Sequence, residues 1–189
     1  MDSFWIVYDI RGWYHPGLEL FGEAAACLHP ASGNDTAKLV RGKALGYAGY
    51  YTGVVGQPER GVALCNEAIA LIRPLNRPED LSYAFYSAAL SGTYWGDFDQ
   101  VIEVSQLLGR ISQETDDPWG EATSLNFLAT ALIAQQKLAE AQEKIDSAIQ
   151  KFGQEIGEYF GLTWAALIRG RVALAQGAYA EARSCLLYT

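Results

Sequence analysis

The tripeptide Gly96-Asp97-Phe98 marks a position that recurs along this chain, and its recurrence decides the fold. Successive positions are separated by 44, 40, 40 and 41 residues, at Gly12, Gly56, Gly96, Gln136 and Gly177. Two residues after each lies a mostly apolar side chain: Tyr14, Pro58, Phe98, Leu138 and Tyr179. Self-similarity at this period is typical of stacked supersecondary units. It predicts a binding scaffold more readily than an enzyme.

Two further columns of mostly small residues keep the same period. Seven residues before the turn position lie Gly49, Ala89, Ala129 and Gly170, and Trp5 breaks the column in the first repeat. Five residues after it lie Gly17, Gly61, Val101, Ala141 and Ala182. The columns divide the chain into repeats at 1–30 (partial), 35–74, 79–114, 118–153 and 157–189 (truncated).

Each repeat reads as two antiparallel helices with the turn position between them. Predicted helices cover 79–94 and 99–112 in the third repeat, and 119–135 and 139–152 in the fourth. No stretch reads convincingly as a strand. In the second repeat, one predicted helix contains Gly42, Gly46, Gly49 and Gly53, each costing about 1 kcal/mol relative to alanine. Close helix packing would compensate, and a flexible hinge is the alternative.

The ends of the chain suggest that it is a piece of a longer array. A solenoid needs a polar cap on its terminal repeat, whereas Cys185-Leu186-Leu187-Tyr188 leaves an apolar face with no helix after it. We therefore expect a fragment of a longer repeat protein. The alternative is a short natural protein that self-associates through this last helix.

Composition excludes several function classes. A formal charge of −8 argues against a nucleic-acid-binding surface, which is normally basic. The longest uncharged run, 44–57, is shorter than the roughly 20 residues of a membrane span. Asp2 and Asp9 interrupt the N-terminal apolar stretch, and no basic segment precedes it, so a secretory signal is not predicted. These features predict a cytoplasmic protein without a membrane or direct nucleic-acid partner.

No set of residues assembles into an active site or a metal site. His15 and His29 lie in or beside turns, where surface or capping roles are expected. Glu114, Asp116 and Asp117 precede Pro118 without the glycine-turned loop of a cation site. The cysteines have no metal spacing. Cys65 and Cys185 are expected to be buried small side chains on helix faces toward neighbours, with a reactive thiol as the alternative. We predict a non-enzyme that needs no cofactor.

These columns resemble the tetratricopeptide repeat (TPR). In that family a small residue of helix A packs against the next repeat, a Gly-x-aromatic turn follows, and an early alanine of helix B allows close approach. The columns above match those roles, and a later helix-B alanine matches at Ala24, Ala68 and Ala148, with Leu108 and Thr189 departing. The resemblance implies an all-α, right-handed superhelical solenoid of antiparallel helix pairs.

The period of about 40 residues exceeds the family's usual 34. It resembles the long-period variant found in bacterial signal-transduction ATPases and in transcriptional regulators of the maltose-regulon-activator type. The other modules of such proteins are not found in this sequence, since it has neither a GxxxxGK[ST] loop nor a basic helix-turn-helix. A regulatory or signalling role would then belong to a longer protein.

The family resemblance also implies where a ligand would lie, on the inner surface formed by the A helices. Position by position, the implied inner residues are Lys43, Gly46 and Tyr50; Tyr83, Tyr86, Leu90 and Tyr94; Thr123, Asn126, Thr130 and Ile133; and Trp164, Leu167 and Arg171. The spacing of Tyr83, Tyr86, Leu90 and Tyr94 places them on one helix face. Their aromatic rings suit recognition, but packing between repeats explains them equally well.

Our candidate binding residues are therefore Lys43, Tyr50, Tyr83, Tyr86, Tyr94, Asn126, Trp164 and Arg171. Lys43, Asn126 and Arg171 are donors without an evident acidic partner, which favours a ligand carrying a carboxylate or another acceptor. The function predicted is a non-catalytic protein- or peptide-interaction scaffold, the repeat region of a bacterial regulator. The alternative is a domain that senses a small-molecule effector in the same aromatic groove.

Overall fold

The computed structural model describes residues 2–28 and 34–187, which contain helices and turns and no strand. The helices are α1 (Asp2–Ile10), α2 (Tyr14–Cys27), α3 (Asp35–Val54), α4 (Pro58–Ile72), α5 (Pro78–Trp95), α6 (Phe98–Glu114), α7 (Pro118–Ala134), α8 (Leu138–Gln150), α9 (Tyr159–Ala175) and α10 (Tyr179–Leu187). A 3₁₀ turn, Arg73–Leu75, follows α4, and a π-helical segment, Lys151–Ile156, follows α8. The chain divides into two compact units, residues 1–97 (the N-terminal unit) and 98–189 (the C-terminal unit).

The turn column is a column of left-handed backbone conformation. Gly12, Gly56, Gly96, Gln136 and Gly177 have φ of 66°, 92°, 84°, 60° and 77°. In each turn the next residue donates its backbone N–H to the carbonyl five residues earlier, as from Asp97 to Gly92 at 3.1 Å and from Lys137 to Leu132 at 2.9 Å. This is the hydrogen bond that closes a helix in a Schellman motif. Glycine recurs here because it adopts this conformation at little cost.

A second left-handed column lies in the turns between repeats. Asn76, Asp116 and Gly157 have φ of 52°, 51° and 68° and lie 40 and 41 residues apart. This column is not visible in the sequence because three different residue types occupy it. Asparagine and aspartate tolerate the left-handed region better than most side chains, so the geometry repeats without a repeated letter.

Helices α3 and α4 of the N-terminal unit pack closely through glycine. A Cβ built on Gly61 would lie 2.5 Å from the Gly49 carbonyl oxygen and 2.9 Å from the Gly53 nitrogen. Built on Gly42, it would meet Ile72 of α4 at 2.6 Å, and built on Gly46 it would meet Ser87 of α5 at 3.3 Å. The predicted packing role of these glycines is therefore confirmed.

The C-terminal unit uses alanine and branched aliphatic residues at comparable places. Ala129 and Ala141 are fully buried in a core with Leu132, Ile145 and Val172. Helix α8 was predicted to end at Phe152; instead the α-helix ends at Gln150 and the backbone continues as the π-helical segment to Ile156. This segment carries Phe152 into the core, where its ring lies against Gly161 and occupies the space a Cβ there would need.

The three cysteines differ in their burial. Cys65 is buried, and burial raises the pKa of its thiol to about 12, so this cysteine behaves as a small core side chain. Cys185 is half-buried and Cys27 is exposed. His29, Tyr188 and Thr189 lie outside the described residues. None of the described helices combines the length and the apolar character that a membrane span requires.

Candidate binding surface

The structure separates the four candidate tyrosines of the N-terminal unit into two pairs. Tyr50 and Tyr86 are buried, with 4% and 6% of their surface exposed. Tyr83 and Tyr94 expose 37% and 56%. Both exposed rings belong to α5, toward opposite ends of the helix. The first pair can act only through packing, whereas the second pair is accessible to a partner.

Lys43 does not offer the unpaired cation that the sequence analysis expected. Its Nζ lies 2.9 Å from Oδ1 of Asp80, and both side chains are mostly buried. Arg77 contacts the other carboxylate oxygen at 3.1 Å. The Lys43 amine also lies 5.0 Å from the centre of the Tyr83 ring, a cation–π distance. Lys43 therefore positions Tyr83 and Asp80, and it gives no support to an acidic ligand.

A tryptophan that breaks the repeat columns forms the centre of the aromatic cluster. The Trp5 ring of α1 lies 5.9 Å from Tyr47, 6.3 Å from Tyr50 and 5.6 Å from Tyr86, measured between ring centres. Trp5 is buried, so α1 covers rings that would otherwise face solvent. In the sequence, Trp5 is visible only as a break in a small-residue column. A large ring at a position where other repeats carry Gly or Ala was the available signal.

The buried tyrosines carry polar tips that need partners. Tyr51 donates its hydroxyl to the Trp5 carbonyl at 2.7 Å, and Tyr50 donates its hydroxyl to Oδ1 of Asp9. Burial raises the pKa of Tyr50 above its ordinary value, and the hydrogen bond to Asp9 raises it further. Burial and then the charge of Asp9 likewise raise the pKa values of Tyr51 and Tyr86. These groups stay neutral because ionisation would place negative charge near a carboxylate in a poorly solvated site.

The candidate residues of the C-terminal unit differ in accessibility. Asn126 of α7 is fully buried, and its side-chain amide has no hydrogen-bond partner among the described residues. Trp164 of α9 is half-buried and packs edge to face on Phe127, with ring centres 5.0 Å apart. Arg171 is exposed. Of these three, Arg171 alone presents its side chain openly, and the buried Asn126 amide is an energetic cost of about 1–3 kcal/mol.

The other inner positions of α7 are also closed. Thr123 and Thr130 are buried, and Thr130 donates its hydroxyl to the Asn126 carbonyl at 2.9 Å. On α9 and α10, by contrast, several large apolar side chains are exposed: Tyr159, Phe160, Leu167, Leu174, Tyr179, Leu186 and Leu187. Within residues 2–28 and 34–187, no group of three or more His, Cys, Asp or Glu side chains is arranged to hold a metal ion.

Solved structures similar to this chain are repeat proteins. A crystal structure of a variant Podosopora anserina kinesin light chain-type protein with nearly identical TPR-like repeats is 17% identical, with a TM-score of 0.73, covering 98% of this chain and 89% of that one. A second structure of that protein is 18% identical, with a TM-score of 0.68, covering 97% and 89%. BtubC (BKLC) from P. vanneervenii is 16% identical, with a TM-score of 0.62, covering 91% and 87%.

The similarity to these solved structures is evidence for the fold of the chain. The prediction of an all-α, TPR-like repeat fold is confirmed, since the matches cover nearly the whole chain. At these identities they carry no information on the partner. No protein-family model matches the sequence, and no curated protein does either.

Proposed function

We propose that this chain is a non-catalytic scaffold that binds a protein or peptide segment. The observation that carries the proposal is the pair of exposed tyrosines on α5. Tyr83 and Tyr94 are held by buried neighbours, because Lys43 lies over the Tyr83 ring and the Tyr94 ring lies 6.1 Å from that of Tyr50. Rigid exposed aromatic rings with hydroxyl tips are typical of binding hot spots.

The fold supports the same proposal. A repeat fold forms an extended surface from many short elements, which suits an extended partner better than a small substrate. The structures that resemble this chain are repeat proteins of the same kind. We further propose that the chain is the repeat region of a cytoplasmic bacterial regulatory or signalling protein, as the long repeat period indicates.

A peptide-display selection tests the scaffold proposal without knowledge of the partner. Wild-type protein is the bait, and each enriched peptide is then measured against Tyr83→Ala/Tyr94→Ala. The matched control is Tyr159→Ala/Tyr179→Ala, which removes two exposed tyrosines of the C-terminal unit. We expect the α5 double variant to weaken binding about tenfold or more, corresponding to about 1.4 kcal/mol or more.

Two outcomes would contradict the proposal. One is equal loss of binding in the two double variants, which would remove any role for α5. The other is a failure to enrich any peptide while a screen of metabolites raises the melting temperature, which would favour the effector-sensing alternative. Circular dichroism of all variants excludes unfolding as the cause of a loss.

Self-association is a separate proposal that the exposed side chains of α9 and α10 support. Leu186 and Leu187 expose much of their surface. Exposed apolar residues in a contiguous patch mark an interaction surface. Light scattering of the wild type and of Leu187→Glu measures the oligomeric state, and a monomeric wild type would overturn the proposal.

A further inference from the structure

Asp9 lies among tyrosines at one edge of the aromatic cluster. One of its carboxylate oxygens accepts the hydroxyl of Tyr50, and the side chain is half-buried. Its charge acts on Tyr51, Tyr86 and Tyr94 as well, raising their pKa values in addition to the larger effect of burial. An ionised carboxylate has about four acceptor positions, so the hydrogen bond from Tyr50 occupies only part of the acceptor capacity of Asp9.

The described part of the chain supplies no cation to this carboxylate. Among residues 2–28 and 34–187, no lysine or arginine forms an ion pair with Asp9. Lys43 of α3 is engaged by Asp80 at 2.9 Å. Arg11, two residues from Asp9, places its guanidinium over the Trp13 ring instead, 5.8 Å from the ring centre.

Exposed aromatic rings lie near Asp9. Tyr94 is more than half exposed, and Tyr14 and Trp13 are exposed as well. Tyr14 lies 6.5 Å from Tyr51, and Tyr94 lies 6.1 Å from Tyr50, measured between ring centres. Tyr50 contacts Asp9 through its hydroxyl and Tyr94 through its ring, so Asp9 and Tyr94 lie beside the same buried tyrosine. We call Asp9 and the exposed rings of Tyr14 and Tyr94, together with the buried Tyr50 that holds the Asp9 carboxylate, the Asp9 pocket.

We propose that the Asp9 pocket binds an arginine or lysine side chain of the peptide segment that this scaffold recognises. An ionised carboxylate attracts a cation through charge, and the face of a nearby aromatic ring attracts it through the ring quadrupole. The net charge of −8 would draw a basic segment toward the protein. The Trp13 ring already accepts the chain's own guanidinium in this region. This inference rests on the scaffold function proposed above and names the chemistry of the partner.

The test uses peptides enriched by display on the wild-type protein. The basic residues of the tightest peptide are replaced one at a time by citrulline or norleucine, which keep the approximate shape and remove the charge. We expect one replacement to weaken binding about tenfold, and to lose its effect when the protein carries Asp9→Asn. Such coupling between one peptide residue and one protein residue identifies their contact.

The matched control is Glu19→Gln, since Glu19 is an exposed acid of α2 in the same unit and its change alters net charge equally. A second variant, Tyr94→Phe, keeps the ring and removes the hydroxyl, so it should retain most of the binding. If binding falls equally in Asp9→Asn and Glu19→Gln, the proposed role of the Asp9 pocket is wrong, and the loss reflects only the change in net charge.

Other outcomes separate this inference from the scaffold function. Enriched peptides without any basic-residue dependence, still sensitive to Tyr83→Ala/Tyr94→Ala, would retain the scaffold and overturn the Asp9 pocket. If N-acetylarginine amide binds as tightly as the peptide, the proposal that the bound cation belongs to a peptide is wrong, because the pocket then binds a free small cation. A selection that enriches nothing would contradict the scaffold function itself.

Discussion

The cores of the two units of this chain are filled by different kinds of side chain. The N-terminal unit buries rings, among them Trp5, Phe21 and Tyr51, and brings helices together through glycine. The C-terminal unit buries mainly alanine and branched aliphatic residues, with Ala141 at the place where the N-terminal unit has Gly61. A core of tyrosines has polar tips that reach its edge, and that edge is where the candidate binding surface lies. The C-terminal core also buries polar groups, among them Asn126 and Thr130, but none of its described buried side chains is a tyrosine.

The largest effect should appear on truncating a buried ring of the N-terminal unit. Tyr51 is fully buried, stacks on Phe21 with ring centres 5.9 Å apart, and donates to the Trp5 carbonyl. We expect Tyr51→Ala to lower the free energy of unfolding by about 3–5 kcal/mol, as for other buried aromatic residues. Tyr159→Ala, at an exposed ring of the C-terminal unit, should change it by less than about 0.5 kcal/mol. Urea denaturation measures both, and similar values would contradict the assignment of Tyr51 to the core.

Alkaline pH should act on the N-terminal unit through its buried hydroxyls. The pKa values of Tyr50, Tyr51 and Tyr86 lie above their ordinary value chiefly because burial disfavours the charged form. The unfolded chain therefore loses these protons first, and stability falls as pH rises above about 10. We expect Tyr51→Phe to lose less stability than the wild type between about pH 8 and about pH 11. An equal loss, measured by urea denaturation at both values, would show that Tyr51 is not a cause.

The close contact between α3 and α4 is tested by exchanging glycine and alanine at equivalent positions of the two units, Gly61 and Ala141. Gly61→Ala places a Cβ 2.5 Å from the Gly49 carbonyl oxygen, and backbone cannot move aside as a side chain can. We expect a loss of about 1–3 kcal/mol in unfolding free energy. The reverse change, Ala141→Gly, should cost only about 0.5–1 kcal/mol, from backbone entropy. A stabilised Gly61→Ala, seen by thermal denaturation, would show that α3 and α4 are further apart than described.

The smallest expected change in stability is in the turn column, where the C-terminal unit has Gln136 at a position that is glycine in the other repeats. Gln136 has φ of 60°, so Gln136→Gly should raise the free energy of unfolding by about 1 kcal/mol. Gly96→Gln makes the opposite change in the N-terminal unit and should lower it by a similar amount. If both variants shift the melting temperature in the same direction, the left-handed geometry does not explain the column.

Periodicity predicted the fold because the residues that set it are constrained locally. A left-handed turn selects glycine at Gly12, Gly56, Gly96 and Gly177, and close helix contacts select small residues such as Gly49 and Ala129. The second turn column at Asn76, Asp116 and Gly157 was missed, since several residue types tolerate the same backbone. The π-helical segment after α8 was missed because the apolar spacing that runs to Phe152 fits a continuing α-helix.

The site was less predictable because accessibility depends on packing between helices distant in sequence. Spacing placed Tyr83, Tyr86 and Tyr94 on α5, but it could not reveal that Trp5 of α1 covers Tyr86. Nor could it pair Lys43 with Asp80, 37 residues later in the numbering. Asp9 was noted only as a break in an apolar stretch, and its contact with Tyr50 depends on the docking of α1.

The most direct test of the central claim, that binding belongs to the aromatic N-terminal unit, is chemical-shift mapping of the enriched peptide on isotope-labelled protein. We expect the largest backbone amide shifts in α5, around Tyr83 and Tyr94, and at Asp9 of α1. The amides of Ala141, Ile145 and Val172 in the C-terminal core should be unaffected. Large shifts confined to residues 98–189 would contradict the account.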